Sequence, residues 1–505
     1  MRTLIKIVFI IFIANEIVCL GSDNCCNFSK YENIIKEREI TAESLVNNAW
    51  YNAKENLILK IFEKNNNDVF TSECNGDKIS FKLDKNNNLK IRNQKEKEDP
   101  LKLKDKKYAL FGIETQEGEN TVYLYCSDVE SSENVNGIFE GTTHVSISVI
   151  ACDTKNVTDM NRIFFVCSNL TKLDISNFNT TKVTDMGYMF SECSSLTKLE
   201  LGENFNTTNV TDMMCMFSGC SRLTELKFGQ NFNTSNVTDM KWMFSGCSSL
   251  TKLKLGENFN TSNVTDMMYM FSGCSSLTKL KLGENFNTTN VTDMRFMFSG
   301  CSKLENLKFV GNFNTTKVTN MKKMFSGCNS LKELKFEENF NTKKVTNMES
   351  MFSGCSSLTK LDLNNFDTTN VTDMGYMFSK CSSLKELVFG ENFNTSKVTD
   401  MMYMFSGCSS LTKLKLGENF DTTNVTDMSC MFYGCSKLTK LKFGKNFNTE
   451  NVTYMEYMFY GCSSLTKLKF SENFNTENVK DMSGIFNNCD KLPYEIKAKF
   501  QMKNK

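Results

Sequence analysis

One unit of 26 or 27 residues recurs thirteen times between residues 156 and 489, reading V-T-D-M-x-x-M-F-S-G-C-S-S-L-T-K-L-K-L-G-E-N-F-N-T-x-N. The distance from the repeat cysteine of one copy to that of the next is 27 residues, and it shortens to 26 twice, from Cys167 to Cys193 and from Cys355 to Cys381. A fixed period between about 20 and 50 residues is typical of a solenoid, in which each unit covers the apolar face of its neighbour. We therefore expect a stacked array whose long surface favours binding over enclosed chemistry.

The first half of the unit predicts a short helix. Four apolar residues of one copy take positions i, i+3, i+4 and i+7, namely Met213, Met216, Phe217 and Cys220. This spacing places side chains on one stripe of a helix, and Gly219 is suited to ending it. We expect about two helical turns in each unit, with the Met-Met-Phe-Cys side facing inwards.

The second half of the unit predicts a strand. Residues 196–204 read L-x-x-L-x-L-x-x-N, the signature of a leucine-rich repeat. Four asparagines are expected to form an inward ladder, Asn204, Asn231, Asn258 and Asn285, with an aromatic ladder beside it, Phe205, Phe232, Phe259 and Phe286. The fold class predicted is an α/β repeat solenoid, with a leucine-rich-repeat-like parallel sheet and a short helix per repeat.

The regions around the array differ from it in sequence. The predicted organisation is a signal peptide at 1–21, a small non-repetitive α+β domain at 22–135, a degenerate N-terminal cap repeat at 136–155, the thirteen repeats at 156–490 and a C-terminal cap at 491–505. A helix is expected from Thr41 to about Lys64, where Leu45 and Ile61 belong to a helical spacing. A second helix is expected over 493–502.

The first residues have the pattern of a secretory signal. Arg2 and Lys6 precede an apolar stretch at 7–14, and a tolerable cleavage site lies before Ser22. The apolar stretch is too short to span a bilayer comfortably, and no later segment has the length and hydropathy to do so. We expect a secreted or cell-surface protein without a transmembrane segment.

Composition argues against most enzyme classes. The chain has a single histidine, His144, so the usual general base and most zinc sites are missing. No GxxxxGK[ST], GxSxG or HExxH motif occurs, and we predict no catalytic residue, cofactor or metal ligand. A net charge of +1 indicates no particular partner, and no nucleic acid is expected. An enzyme within residues 22–135 is the less favoured alternative.

The repeat unit closely resembles that of the BspA-like leucine-rich-repeat surface proteins. The resemblance lies in the cadence N-V-T-D-M-x-x-M-F-x-G-C-S-S-L-T-x-L-x-L and covers residues 156–489. It implies an exported or surface protein with a leucine-rich-repeat-like solenoid, and some members are linked to adhesion and to binding host or matrix components. It supplies no catalytic motif, and residues 22–135 show no such resemblance.

Lysines dominate the outward positions of the predicted strands. Two adjacent columns carry 16 lysines against 6 acids over 24 positions. Thirteen of these lysines are predicted to bind an extracellular protein or an anionic glycan or polymer: Lys227, Lys252, Lys254, Lys279, Lys281, Lys308, Lys335, Lys413, Lys415, Lys440, Lys442, Lys467 and Lys469. Stacked like charges repel, so a stripe of this kind favours an anionic partner. The alternative is that these lysines only solvate the sheet.

A second predicted binding surface is the outer face of the helices. Seven aromatic residues stand two positions after the first methionine of their copies: Tyr188, Trp242, Tyr269, Phe296, Tyr376, Tyr403 and Tyr457. On a helix that position points away from the apolar stripe, so an exposed ridge would suit a protein or a sugar. The alternative is packing between neighbouring repeats.

The repeat cysteines are interpreted as buried free thiols. Stacked side chains point the same way, which disfavours disulfides between coils, and a single column offers no tetrahedral cage for a metal. Taken together, these features predict an exported, non-enzymatic repeat protein that presents an extended face for adhesion or ligand binding. The alternative is a structural or self-associating coat protein.

Overall fold

The computed structural model describes the backbone of eight strands between residues 45 and 152, and then residues 154 and 157–501 except 177, 310, 311 and 338. Strands β1 (Leu45–Asn52), β2 (Asn56–Lys64), β3 (Val69–Cys74), β4 (Asp77–Leu83) and β5 (Leu89–Asn93) form an antiparallel sheet in chain order. Strands β6 (Tyr108–Gln116), β7 (Glu119–Ser127) and β8 (Ser146–Cys152) lie side by side in a second sheet. The predicted signal peptide lies outside the described residues.

The prediction of a helix from Thr41 to about Lys64 is wrong. Strands β1 and β2 occupy most of this segment and pair antiparallel, with Leu45 opposite Glu63 and Asn52 opposite Asn56. The apolar residues behind the prediction are separated by multiples of four, which place them on one face of a strand as well as of a helix. The segment also holds four asparagines, which are poor helix formers. The described part of the predicted α+β region therefore consists of strands alone, β1–β7.

The repeats form the turns of a parallel β-solenoid, with one short strand per coil. The strands are β9 (Lys172–Asp174), β10 (Lys198–Glu200), β11 (Glu225–Lys227), β12 (Lys252–Lys254), β13 (Lys279–Lys281), β14 (Asn306–Leu307), β15 (Glu333–Leu334), β16 (Lys360–Leu363), β17 (Glu386–Phe389), β18 (Lys413–Lys415), β19 (Lys440–Lys442) and β20 (Lys467–Lys469). In most of them the central leucine is buried and both flanking residues are exposed.

The chain divides into two compact units. Unit 1 comprises residues 1–212 and 220–233, where β8 lies parallel to both β7 and β9 and β10 pairs with β11. Unit 2 comprises residues 213–219 and 234–505, where the sheets are β12–β15, β16–β17 and β18–β20. Because β8 stacks in register on β9, the non-repetitive sheet leads directly into the first coils. The predicted domain boundaries stay a prediction.

The short helix predicted in each repeat is also wrong. In the copy that begins at Met267, the amides of Tyr269, Phe271 and Gly273 donate to carbonyls of the following coil at 3.0, 2.9 and 2.7 Å. An α-helix directs every interior amide to its own chain four residues back, so alternate amides engaged with a neighbour exclude it. Left-handed φ angles of 59° at Tyr269 and 72° at Gly273 interrupt a right-handed helix as well.

The apolar stripe behind that prediction is nevertheless buried. Met267, Met270, Phe271 and Cys274 each have 0% exposure, and their equivalents pack the same way in the other copies. Phe271 stacks on Phe298 of the next coil with ring centroids 5.6 Å apart. Burial of each methionine or phenylalanine of this stripe contributes about 1.5–3 kcal/mol. The spacing i, i+3, i+4, i+7 thus identified the inward residues correctly although the backbone is a series of turns.

Of the two ladders predicted after the strands, the described residues form the phenylalanine ladder but not an inward asparagine ladder. The phenylalanine ladder is confirmed, since Phe205, Phe232, Phe259 and Phe286 are buried. The asparagine ladder does not face inwards: the equivalent asparagines are exposed, and Asn285 donates through Nδ2 to the carbonyl of Glu257 in the preceding coil at 2.6 Å. The phenylalanine fills the interior, so the adjacent asparagine lies on the turn surface and bonds the neighbouring backbone.

A helix closes the C-terminal end of unit 2. Helix α1 (Tyr494–Gln501) lies within the predicted 493–502. Its Phe500 is buried and contacts Phe470, Phe474 and Phe486, with ring centroids 5.3, 5.9 and 5.1 Å away. The helix thus covers apolar side chains that have no following coil to stack on. Among the described residues, no helix combines the length and hydropathy needed to cross a membrane.

Candidate binding faces of the solenoid

Strand register aligns the predicted lysines into ladders. In unit 2, Lys252 lies opposite Lys279 and Lys254 opposite Lys281, while the leucine between them stays buried. Because neighbouring parallel strands are about 4.8 Å apart, each ladder repeats its ammonium groups at close intervals. The period-two alternation of the strand therefore points these lysines to solvent and their leucines to the core.

Eleven of the thirteen predicted lysines fall into two clusters, both in unit 2. The first basic cluster comprises Lys252, Lys254, Lys279, Lys281 and Lys308, and the second basic cluster comprises Lys413, Lys415, Lys440, Lys442, Lys467 and Lys469. All eleven are exposed. In the part of the chain that the structure describes, none of them makes an ion pair within 4.0 Å.

The other two predicted lysines are neutralised by neighbours. In unit 1, Lys227 pairs with Glu200 and, at 3.0 Å, with Glu225. The hydrogen bond that Lys227 donates to Glu200 raises the pKa of Lys227, and the one that it donates to Glu225 adds to the effect. In unit 2, Lys335 pairs with Glu333 at 2.9 Å. Both lysines lie on the predicted face, but each already has an anionic partner.

The predicted aromatic residues lie in turns rather than on helices, and all seven have left-handed φ angles between 55° and 61°. Trp242 stacks on Tyr269 at 3.8 Å, Tyr269 on Phe296 at 4.2 Å, and Tyr376 on Tyr403 at 4.7 Å between ring centroids. In unit 1, Tyr188 meets Phe165 edge-on at 5.7 Å. Six of the seven are half-buried and Tyr457 is 40% exposed. Stacking between coils occupies the ring faces and leaves mainly their edges to solvent.

Sequence reasoning singled out Tyr457 but missed the rest of an exposed tyrosine patch near the end of the array, namely Tyr433, Tyr454 and Tyr460. Tyr433, Tyr454 and Tyr457 are 38%, 42% and 40% exposed, and Tyr460 stacks on Tyr433 at 4.8 Å. The signal was present as departures from the repeat consensus. Tyr454 replaces the usual aspartate, and Tyr433 and Tyr460 replace the usual serine.

Sequence reasoning also missed a groove in unit 2 between β15 and β16. It has a volume of about 540 Å³. Its lining is Lys332, Glu333, Leu334, Lys335, Phe336, Glu337, Thr359, Lys360, Asp362, Asn364 and Asn365. The strands on its two sides belong to different sheets, so the groove lies where the parallel ladder is interrupted. The 26-residue step between Cys355 and Cys381 marks the shortened coil on one side of the groove, but the step alone did not identify a groove.

The repeat cysteines are buried free thiols, as predicted. Cys274 has 0% exposure, and its Sγ donates to the carbonyl of Phe244 in the preceding coil at 3.1 Å. Burial raises the pKa of Cys274 to about 12. Such thiols act as small apolar side chains rather than as nucleophiles. Among the described residues, no group of three or more His, Cys, Asp or Glu is arranged to hold a metal ion.

The chain was compared with solved structures, with curated proteins and with models of protein families. A solved leucine rich cell surface protein from Faecalibacterium prausnitzii A2-165 is similar over 79% of this chain and 94% of its own, at 17% identity and a TM-score of 0.33. No curated protein matches the chain.

The family model described as Mycoplasma protein of unknown function, DUF285, matches residues 133–252, 225–334, 304–415 and 413–504. These overlapping matches cover the chain from the predicted N-terminal cap repeat to the C-terminal helix. They are consistent with the BspA-like repeat family predicted from the repeat unit, and that prediction is confirmed. The chain belongs to the DUF285 family of repeat proteins.

Proposed function

We propose that the protein is an exported, non-enzymatic repeat protein that binds an acidic extracellular glycan through the two basic clusters. The observation that carries this proposal is that eleven exposed lysines make no ion pair among the described residues, and that strand register aligns ten of them, all except Lys308. The predicted signal peptide supports export. The low histidine content and the solenoid architecture support a role in binding rather than in catalysis.

The electrostatics of the ladders favour a polyanion. Two ammonium groups about 5 Å apart repel by up to about 1 kcal/mol in water, and salt weakens this repulsion. A ligand with regularly spaced negative charges would replace repulsion along each ladder by attraction. The solenoid repeats its lysines at a regular interval set by strand spacing, so a linear polymer fits better than a compact anion.

The two clusters are separated by a neutralised segment. Between them, Lys360 pairs with Glu386 at 2.8 Å, and Asp362 and Val388 occupy positions that hold lysine elsewhere. A long glycan can therefore contact both clusters, whereas a short one contacts one cluster at a time. Two linked sites raise the apparent affinity well above that of either site alone.

Heparin and its fragments test the proposal. We expect the full chain to bind heparin with an affinity that falls at least tenfold between 50 and 300 mM NaCl, because exposed charges are screened over about a Debye length. Reversal of Lys254 and Lys281 to glutamate should weaken binding at least tenfold. The control reverses Lys343 and Lys344, which are exposed in a turn outside the strands and change the net charge equally. Equal losses in both double variants would reject the basic clusters as the site.

Self-association is the second candidate, and the exposed tyrosine patch favours it. Patches of this kind mark surfaces for protein contact. Sedimentation velocity of the full chain without ligand distinguishes the two functions. Concentration-dependent oligomers that dissociate in a Tyr454→Asp variant would support a coat-like role, whereas a monomer that binds heparin supports ligand capture.

A further inference from the structure

The groove between β15 and β16 lies beside one of the two shortened coils of the array. The coil that contains β16 is one residue shorter than its neighbours, and Asn364 follows the strand where most copies have glycine. Its backbone approaches the next coil closely: a Cβ on Gly390 would lie 2.3 Å from the carbonyl oxygen of Asn364. The short coil is thus held tightly against β17, whereas on its other side β15 belongs to a separate sheet.

Charge distinguishes this groove from the basic clusters. Its three lysines are all paired with glutamates: Lys332 with Glu305 at 2.9 Å, Lys335 with Glu333 at 2.9 Å and Lys360 with Glu386 at 2.8 Å. The lining also contains Glu337 and Asp362. An anionic polymer would meet neutralised lysines and additional carboxylates here, so the groove suits an uncharged ligand.

The remaining lining groups match a polyhydroxyl ligand. Thr359 and Asn364 supply hydroxyl and amide groups, and the exposed Asp362, whose Oδ1 accepts from the backbone amide of Asn364 at 3.0 Å, supplies a carboxylate. Phe336 is half-exposed and supplies an apolar surface, and its ring is held by an edge contact with Phe366 at 5.0 Å. Sugars present hydroxyls that both donate and accept, beside an apolar C–H face.

The volume of the groove also suits a small ligand. Small-ligand sites have volumes of about 300–1,000 Å³ and combine apolar walls with a few polar groups, and the groove, at about 540 Å³, lies within this range. We propose that the groove binds a short neutral oligosaccharide, at a site separate from the basic clusters. This inference does not depend on the acidic glycan proposed above, because the groove and the clusters use different residues.

The test is to measure binding of maltotriose, mannotriose and tri-N-acetylchitotriose to the full chain by isothermal titration calorimetry. We expect at least one trisaccharide to bind with one site per chain and an affinity that changes less than twofold between 50 and 500 mM NaCl. Salt insensitivity separates this site from the heparin site, whose affinity depends on screened charges. If one of the two ligands does not bind, the binding experiment with the other ligand still tests its own site.

The variants restore residues that other coils carry at the same positions, which protects the fold. Asp362→Lys and Phe336→Leu should each weaken trisaccharide binding at least tenfold, and Asn364→Gly serves as a second variant should either fail to fold. Matched controls are Val388→Lys and Phe389→Leu, the equivalent changes in the next coil outside the lining, which should stay within twofold. Absence of binding to all three trisaccharides by folded protein, or equal losses in groove and control variants, overturns the proposal.

Discussion

Trp242 lies face to face with Tyr269, with ring centroids 3.8 Å apart and ring planes within 7° of parallel. Both residues have left-handed φ angles, 61° and 59°, which bulky side chains rarely adopt. The strain of such a backbone is of the order of 1–3 kcal/mol per residue and persists only where the surroundings hold it. Stacking between coils, together with amides bonded to the next coil, supplies that support.

Trp242→Ala is therefore expected to destabilise unit 2. The loss should be about 1–3 kcal/mol, since an aromatic pair is worth about 0.5–1.5 kcal/mol beyond its buried area. Tyr457→Ala is the control, because Tyr457 is 40% exposed, and it should cost less than about 1 kcal/mol. Thermal and urea unfolding midpoints measure both. Equal midpoints for the two variants would contradict a stabilising role for the stack.

Thr261→Val tests the polar contacts between coils. Thr261 is buried at 0% exposure; its Oγ1 donates to the carbonyl of Asn287 at 2.7 Å and accepts from the amide of the same residue at 2.8 Å. Valine keeps the shape but leaves two backbone groups without partners, at a cost of about 1–3 kcal/mol each. Thr292→Val is the control, because its exposed hydroxyl bonds only at 3.2 Å, and it should cost under about 1 kcal/mol. Similar urea midpoints for both would reject this account.

The cysteine column should be unreactive in the folded protein. Cys274 and Cys328 are buried at 0% exposure, and burial raises the pKa of each thiol to about 12, so little thiolate exists at neutral pH. Alkylation by iodoacetamide at pH 8 should be at least about 100-fold slower in native than in urea-unfolded protein. A Ser483→Cys variant, exposed in a turn, provides the fast-reacting reference. Rapid native alkylation of Cys274, detected by peptide mass spectrometry, would show that the coils open readily.

An aspartate column predicts a pH dependence of stability. Burial raises the pKa of Asp400, and repulsion from Asp373 and Asp427 raises it further. A carboxyl group whose pKa is higher in the folded than in the unfolded state binds more protons when folded, so its contribution to stability falls as pH rises from about 3.8 through the folded pKa.

Asp400→Asn should therefore raise the melting temperature at pH 7. The expected gain is about 1–3 °C, because a pair of like charges about 5 Å apart costs up to about 1 kcal/mol in water and that amount shifts a melting temperature by about 2–4 °C. The array tolerates this change, since Asn320 and Asn347 accept the same turn hydrogen bond at 3.0 and 2.9 Å. The gain should vanish near pH 3.5, where Asp400 is protonated. A gain that persists at pH 3.5 would exclude the electrostatic explanation.

The orientation of the lysines on the candidate binding face was predictable from the sequence. The alternation in K-L-K identified Leu253 as buried and Lys252 and Lys254 as exposed, because a strand points successive residues to opposite faces. The ion pairs of Lys227 and Lys335 could not be predicted from the sequence, since they depend on which exposed side chains approach each other in the folded chain. The groove beside Asp362 could not be predicted either. The sequence shows that this coil is one residue shorter, but not how the backbone accommodates the missing residue.

The sequence by itself determined that the chain is a solenoid and which apolar residues of the repeat face its core. A 27-residue period requires stacking, and an apolar residue such as Phe271 must be buried whatever backbone carries it. Only the tertiary structure decided that the Met-Met-Phe-Cys segment is a chain of turns. The spacing of its apolar residues fits a helix as well, but the amide of Phe271 donates a hydrogen bond to the carbonyl of Met297 in the next coil at 2.9 Å. Hydrogen bonds between coils, repeated along the array, outweigh a two-turn helix that is too short to be stable alone.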